Sequence, residues 1–343
     1  MSARASAGVR GTGVGSFPGD TQRDYDEALS VVLGELAGDA HGLAFVPEVP
    51  GRGAGAAMTG RTLGLVTELD ADLQPEGWRL TGTSGAAPLD QRRARSLLAQ
   101  DLDTLEERAA GHAGPFKVQV TGPWTLAATV ERPRGDKLLA DHGARRELAQ
   151  ALAVAVTDHL ADVRRRLPEA TELVLQLDEP ALPAVLAAGV PTASGFGKHR
   201  TVHPPEASEA LDWVLTAASA AGATPWVHCC APDVPIGLLR GAGAHGVMVD
   251  LDLLDADGHD AAAEALEAGD TIVLGVVPAT GPLPGDKVLV ERVLRWLDLL
   301  GLDPEKVGGS LAVSPSCGLA GSTRAEARHA LELARNVARS VSG

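Results

Sequence analysis

Short apolar segments alternate with long helical segments along this chain of 343 residues. Eight of the short segments are rich in apolar or β-branched residues and end in Gly, Pro or polar residues, which is typical of buried strands. Eight strands that alternate with helices predict a parallel (β/α)8 TIM barrel, an α/β fold. A doubly wound open sheet is the alternative, but no Gly-x-Gly-x-x-Gly turn follows the first strand candidate.

We predict a single domain over residues 1–343. The stretch 51–88 departs from the repeat and predicts a small hairpin, around Trp78, inserted after the second strand. We interpret the glycines at 11, 13 and 15 as sites of close backbone packing. The strand candidates are 12–16, 43–47, 116–120, 173–178, 225–228, 247–250, 271–276 and 310–314. The helix candidates are 22–36, 89–108, 145–166, 205–220, 260–268, 286–300 and 324–340.

The charge balance restricts the class of partner. The chain has 30 Lys and Arg against 45 Asp and Glu, a net charge of −15. This argues against nucleic acid or an anionic membrane, because phosphate binding requires a basic face. Residues 1–10 contain no apolar core of a signal peptide, and no apolar run approaches a membrane span. Three cysteines cannot form a disulfide framework, so we expect a cytoplasmic protein with reduced thiols.

The cysteines fall at only two places, both at predicted strand ends. His228 and Cys230 end the fifth strand candidate, and Cys317 follows the last one. One imidazole and two thiolates are the ligand set of a catalytic Cys₂His zinc site, in which one metal position stays open. The alternative is that small buried thiols serve only as core residues.

Acidic and hydroxyl side chains stand at other predicted strand ends, where a barrel builds its active site. Ser16 ends the first strand candidate, Glu48 follows the second, and Asp178 ends the fourth. Asp250 or Asp252 ends the sixth, and alternation points both into the barrel if the strand extends that far. Together these residues predict a pocket for a metal and a substrate ammonium group. Alternatively, Asp178 caps the following segment and Glu48 is solvated.

Five short motifs occur in order along nearly the whole chain. They are Gly-Ser-Phe-Pro at 15–18, Thr-Gly-Pro at 121–123, Gln-Leu-Asp-Glu-Pro-Ala-Leu at 176–182, His-Cys-Cys at 228–230 and Pro-Ser-Cys-Gly-Leu at 315–319. In this order they resemble the C-terminal catalytic barrel of cobalamin-independent methionine synthase. The resemblance implies a zinc-dependent transfer of a methyl group to the thiol of homocysteine, giving methionine.

The resemblance also assigns roles to the candidate residues. It implies that zinc (Zn²⁺) is bound by His228, Cys230 and Cys317, and by Asp250 where the family has a glutamate; Asp252 is the other candidate for that position. It places Ser16 on the homocysteine carboxylate, and Glu48 and Asp178 on its amino group. Asp178 and Cys230 are therefore the predicted catalytic residues.

Two departures from the family concern the methyl donor. The family's full-length enzyme has a second barrel that helps to hold a polyglutamylated folate, and a single domain over 1–343 leaves no residues for one. The family's catalytic His after the seventh strand is also missing from 275–280. We therefore expect either a methylfolate or a methylcorrinoid, free or on a carrier protein, and favour the corrinoid. A transferase acting on another thiol and a non-catalytic zinc-binding barrel are the alternatives; the intact thiols argue against a metal-free uroporphyrinogen decarboxylase.

Overall fold

The computed structural model describes residues 8–82 and 87–343. Most of the N-terminal segment 1–10 and residues 83–86 of the stretch 51–88 therefore lie outside the described residues. The strands are β1 (Arg10–Gly11), β2 (Ala44–Phe45), β3 (Ala71–Gln74), β4 (Gly77–Leu80), β5 (Pro115–Thr121), β6 (Glu172–Asp178), β7 (Ala223–Cys229), β8 (Gly246–Asp250), β9 (Thr271–Val277) and β10 (Leu311–Pro315).

Helices lie between the strands and confirm the predicted alternation. The longer ones are α1 (Gln22–Val32), α2 (Met58–Leu65), α3 (Leu89–Arg108), α5 (His142–Arg166), α7 (Pro204–Ala220), α9 (Ala256–Ala268), α10 (Asp286–Leu299) and α12 (Arg324–Val341). The shorter ones are α4 (Pro123–Thr129), α6 (Leu182–Leu186), α8 (Ile236–Gly241) and α11 (Pro304–Val307). None of the helices in the described part of the chain is both long and apolar enough to cross a membrane.

Eight strands form one parallel sheet in the order β1-β10-β9-β8-β7-β6-β5-β2. The sheet is curled, and its two edge strands meet. The amide of Gly11 donates to the carbonyl of His41 at 2.7 Å, and the amide of Leu43 donates back to the carbonyl of Gly11 at 2.9 Å. A parallel bridge also joins Ser16 to Glu48. The arrangement is therefore that of a TIM-like barrel.

The first strand differs from its prediction. Regular pairing covers only Arg10–Gly11, and of residues 12–16 only Ser16 forms a bridge. The backbone at Gly13 runs so close to Phe45 that a Cβ there would lie 2.5 Å from the ring, which supports the predicted close packing. The stretch 51–88 contains the antiparallel pair β3–β4, in which Trp78 pairs with Leu73.

Alternate residues of each strand face two different cores. In β6, Leu173, Leu175 and Leu177 pack in the large cluster shared with the helices. The intervening residues point into the barrel, where a small apolar cluster fills the interior. That inner cluster consists of Val14, Leu43, Val174, Trp226, Met248, Val273 and Ala312. Inward residues further along the same strands converge at their carboxyl ends, which is where the candidate site lies.

Candidate active site

Asp178 is the last residue of β6, His228 is the penultimate residue of β7, and the two are register partners. Both side chains point into the barrel, and Asp178 Oδ1 lies 2.9 Å from His228 Nδ1. An acceptor at Nδ1 holds the ring proton there and leaves the lone pair on Nε2. Nε2 is buried and has no hydrogen-bond partner among the described residues. A buried ring nitrogen with a free lone pair is suited to bind a metal.

The two predicted thiol ligands lie beside this imidazole. Sγ of Cys230 and Sγ of Cys317 are 2.8 Å apart, and both lie within 4.8 Å of a ring nitrogen of His228. The hydrogen bond between the thiols lowers the pKa of Cys317 to about 6 and raises that of Cys230. Two sulfurs and one imidazole nitrogen are the donors that zinc prefers, so these residues fit the ion.

Cys229 is set apart from this group. It is buried in β7, one residue from His228, so its side chain faces away from the barrel interior. Burial raises its pKa to about 12. This is the behaviour of a core thiol rather than of a metal ligand.

The acidic residues at the end of β8 lie outside the His228–Cys230–Cys317 group. The carboxylate of Asp250 accepts a hydrogen bond from the amide of Asp252 at 3.0 Å and so caps a short helical turn. Because β8 ends at Asp250, the strand alternation does not reach Asp252, whose side chain is exposed and ion-paired with Arg292. The strand therefore does not extend far enough for its alternation to point Asp252 into the barrel, which was the condition of that expectation.

Ser16, Glu48 and Asp178 line one cavity of about 310 Å³ together with the His–Cys–Cys group. Glu48 Oε1 accepts a hydrogen bond from Gln119 at 3.2 Å and lies 3.5 Å from Arg61 Nε. Burial raises the pKa of Glu48, the nearby charge of Asp178 raises it further, and Arg61 opposes both. The structure thus places the predicted substrate-binding residues around the predicted metal ligands. The other residues of the lining are Val14, Gly15, Pro50, Ala57, Met58, Gln119, Pro180 and Gly318.

The two adjacent carboxylates of the Asp-Glu-Pro motif have different surroundings. Glu179 is fully buried outside the cavity and accepts hydrogen bonds from the amides of Trp124 and Thr125, each at 2.8 Å, and from the Thr125 hydroxyl. It thereby caps α4. Burial raises the pKa of Glu179 to about 7. Asp178 therefore contacts His228 and does not cap the segment after it, and Glu179 caps the earlier helix α4.

Sequence reasoning missed a polar layer beneath the site. Lys117, Gln119 and Gln176 are buried and point into the barrel. Burial lowers the pKa of Lys117 to about 7, although the charges of Asp178 and Glu48 oppose this effect. The signal was present in β5, where Lys117, Gln119 and Thr121 alternate with apolar residues. In a barrel strand that pattern places polar side chains in the interior.

Comparisons with known proteins identify the family of the chain. The sequence model of the family "Cobalamin-independent synthase, Catalytic domain" matches residues 104–340. The match includes Asp178, His228, Cys230 and Cys317, whereas Ser16 and Glu48 precede it. No curated protein matches the chain in a sequence search.

A solved structure shares the fold. A B12-independent methionine synthase from Shewanella sp. W3-18-1, in complex with selenomethionine, superposes with a TM-score of 0.62 at 14% identity. The superposition covers 98% of each chain. TsXylA, an intracellular xylanase from Thermoanaerobacterium saccharolyticum, has a TM-score of only 0.40 at 13% identity over 91% of this chain and 86% of its own, so no functional comparison follows from it. From the family match, with the shared fold in agreement, the chain belongs to the cobalamin-independent synthase catalytic-domain family and is a methionine synthase-like enzyme.

Proposed function

We propose that this protein is a zinc-dependent methyltransferase that methylates the thiol of homocysteine to give methionine. The observation that carries the proposal is that two sets of residues, one suited to bind a metal and one suited to bind an amino acid, line the same cavity. His228, Cys230 and Cys317 offer a metal three ligand atoms, and Ser16, Glu48 and Asp178 line the same space. An amino-acid thiol needs both, since its sulfur must be activated and its charged end must be held.

The charged end of homocysteine determines where its sulfur lies. Glu48 and Asp178 would bind the ammonium group, and Ser16 would donate to the carboxylate. Asp178 can serve both the substrate and His228, because the hydrogen bonds among the described residues use only its Oδ1. Fixing this end directs the thiol to His228, Cys230 and Cys317, which favours reaction by orientation.

The three ligands and the metal have separate tasks. Asp178 keeps the lone pair of His228 on Nε2, and the two cysteines supply thiolate donors. Zinc, when bound, favours the deprotonated form of a coordinated substrate thiol at neutral pH, and the thiolate is the nucleophile. The cavity beside these ligands gives the methyl donor access to that sulfur.

Asp250 remains the predicted fourth, acidic ligand. With Asp250 the metal has four protein ligands, and substrate sulfur must displace one or expand the shell. With His228, Cys230 and Cys317 alone, one position stays open for the substrate. Loss of metal affinity in Asp250→Asn, but not in Asp252→Asn, would support the ligand role.

We further propose a methylcorrinoid, free or on a carrier protein, as the methyl donor in preference to a folate polyglutamate. The loop after β9 has Pro278, Ala279 and Thr280 but no His for the family's proton transfer. Two short basic clusters, at residues 92–95 and 164–166, lie on α3 and α5. In the second cluster Arg166 is ion-paired with Asp103, Glu106 and Asp162. Such paired side chains are poorly placed to neutralise a polyglutamate tail.

The deciding experiment combines metal analysis with a methyl-transfer assay. Purified protein should contain about one zinc, and Cys230→Ser or Cys317→Ser should lose most of it. Cys229→Ser is the matched control and should retain it. The zinc-loaded protein should form methionine from homocysteine with methylcobalamin, and more slowly with methyltetrahydrofolate triglutamate.

Other outcomes would change the proposal. A protein without zinc would refute the metal site. Zinc without turnover on any donor would favour the non-catalytic barrel, and turnover of another thiol but not homocysteine would favour a different transferase. Efficient turnover with the folate triglutamate alone would overturn the donor assignment.

A further inference from the structure

A buried lysine lies within the barrel beneath the proposed metal site. Lys117 has no exposed surface, and its Nζ donates to Gln176 Oε1 at 2.6 Å and to the carbonyl of Val14 at 3.0 Å. The strands β6 to β10 each place an apolar residue in the inner cluster, but β5 places this amine in the interior instead. A buried amine is unfavourable unless its hydrogen bonds are satisfied, so its place in the barrel interior calls for a function.

The lysine determines which way the Gln176 amide faces. The Lys117 amine donates at this contact and so takes the carbonyl end of the amide, and the Asp178 carboxylate, which only accepts, takes the NH₂ end. The amide nitrogen of Gln176 must then point the other way, where it donates to Asp178 Oδ1 at 2.7 Å and to the carbonyl of Val14 at 2.9 Å. A flipped amide would place its NH₂ group against the amine and its oxygen against the Asp178 carboxylate.

The same Asp178 oxygen receives His228. Oδ1 accepts from Gln176 and lies 2.9 Å from His228 Nδ1, so the amide fixes the position of the acceptor that orients the ring. The outer hydrogen-bond partners of a metal-binding histidine set its tautomer and orientation. The chain of contacts therefore runs from Lys117 through Gln176 and Asp178 to the free Nε2 of His228.

We propose that Lys117 is a positioning residue of the metal site: through Gln176 it aligns Asp178 and so keeps His228 in the tautomer whose Nε2 can bind the metal. The proposal rests on the proposed function in taking His228 as a metal ligand. It assigns Lys117 no contact with substrate or metal, and it does not depend on which methyl donor is used.

The test compares Lys117→Met and Gln176→Met with a matched control. Met approximates the length of both side chains but cannot make their hydrogen bonds. The control is Gln91→Met, because Gln91 is also a buried glutamine and donates to the carbonyls of Leu63, Val66 and Leu69, away from the site. Three properties are measured: zinc and Co²⁺ affinity by chelator competition, the His228 tautomer in metal-free protein by ¹⁵N NMR, and the thermal midpoint.

Both site variants should bind the metal about 10- to 100-fold more weakly, the range found when outer partners of a metal ligand are removed. The Nδ1–H tautomer of His228 should lose its dominance in both. The double variant should be little weaker than either single one, because both changes break the same chain of contacts. Gln91→Met should lower the thermal midpoint and leave metal affinity and tautomer unchanged.

Wild-type metal affinity and tautomer in a folded Lys117→Met protein would overturn the proposal. If Lys117→Met does not fold, Gln176→Met decides, because it removes the same link and leaves Lys117 hydrogen-bonded to the Val14 carbonyl. The tautomer measurement separates this proposal from the proposed function. A wild-type protein that binds no zinc would refute the function, while the effect of Lys117 on His228 could still be measured.

Discussion

Gly318 lies directly against Ser16. A Cβ at Gly318 would come within 2.1 Å of Ser16 Oγ, and the next amide, of Leu319, donates to the Ser16 carbonyl at 2.9 Å. The loop that carries the thiol of Cys317 is therefore packed on the residue proposed to bind the substrate carboxylate. Any side chain at position 318 must displace the Ser16 hydroxyl.

Gly318→Ala should weaken homocysteine binding without removing the metal. The added methyl group forces the Ser16 hydroxyl to rotate, and a lost hydrogen bond to a charged group costs roughly 1.5–3 kcal/mol, or about 10- to 150-fold in affinity. Steady-state kinetics should show a higher KM, and Ser16→Ala should raise KM by a similar factor. The double variant should be no worse than Ser16→Ala; fully additive effects would show that Gly318 acts through another residue.

Homocysteine binding should weaken in acid because of Glu48. Burial raises the pKa of this carboxyl above its ordinary value of 4.5, and only the ionised form attracts an ammonium group. As the pH falls through the raised pKa, KM should therefore rise at a pH where an exposed glutamate would still be ionised. Glu48→Gln should have a higher KM at neutral pH, and its KM should not rise further in acid. Its zinc content should be unchanged. If the Gln variant shows the wild-type dependence of KM on pH, the rise of KM in acid is due to another group.

Asp178→Asn should impair both metal and substrate binding. The variant puts an amide beside His228 Nδ1, which removes the carboxylate that orients the ring, and the loss of an outer partner costs about 10- to 100-fold in metal affinity. Chelator competition measures this loss, and KM for homocysteine measures the loss of charge beside the ammonium group. An unchanged metal affinity would show that the contact of 2.9 Å does not control His228.

Glu179→Gln should affect stability instead. Its pKa is raised from 4.5 to about 7, so the folded state holds the Glu179 proton more tightly than the unfolded state does. The stability from this proton is fully present below pH 4.5 and is lost as the pH rises through about 7. The stability of wild type relative to Glu179→Gln should fall across that window in urea denaturation. Metal affinity of Glu179→Gln should match wild type, in contrast to Asp178→Asn.

Metal-free protein should form a Cys230–Cys317 disulfide when treated with a mild thiol oxidant. The two sulfurs are 2.8 Å apart, close enough to bond after a small movement. Intact mass should fall by about two hydrogen masses, and peptide mapping should join the two cysteines. Zinc should protect them, since it occupies the same sulfurs. Oxidation of Cys229 instead would contradict the placement of the thiols.

The barrel could be predicted because its signal is local. Each strand is a short apolar run followed by a helix, and seven of the eight strand candidates fall within two residues of the observed bounds. The first was displaced because Arg10–Gly11 pairs with β10, a contact far along the chain. No pattern within residues 8–16 specifies where pairing with a distant strand begins.

The sequence predicts only in part which of the candidate site residues lie close together in the fold. Strand ends place His228, Cys230 and Cys317 at one end of any parallel barrel, and the structure brings them together. The contact between Asp178 and His228 depends on the register of β6 and β7, which the sequence does not state. After β8 the backbone forms a short helical turn that the Asp250 carboxylate caps. The pattern of apolar residues in the sequence does not predict this turn, and so it does not predict the position of Asp250.

Cys230 directly follows β7 and Cys317 lies two residues after β10, and β8 and β9 lie between these strands in the sheet. An ion bound to both thiols would cross-link two separate parts of the barrel wall. Because unfolding separates these strands, bound zinc would add about 2.7 kcal/mol to folding stability when its free concentration is about 100 times Kd. If zinc binds there as proposed, it couples the closure of the barrel to metal supply, so that metal-starved cells would hold a less stable protein as well as a less active one.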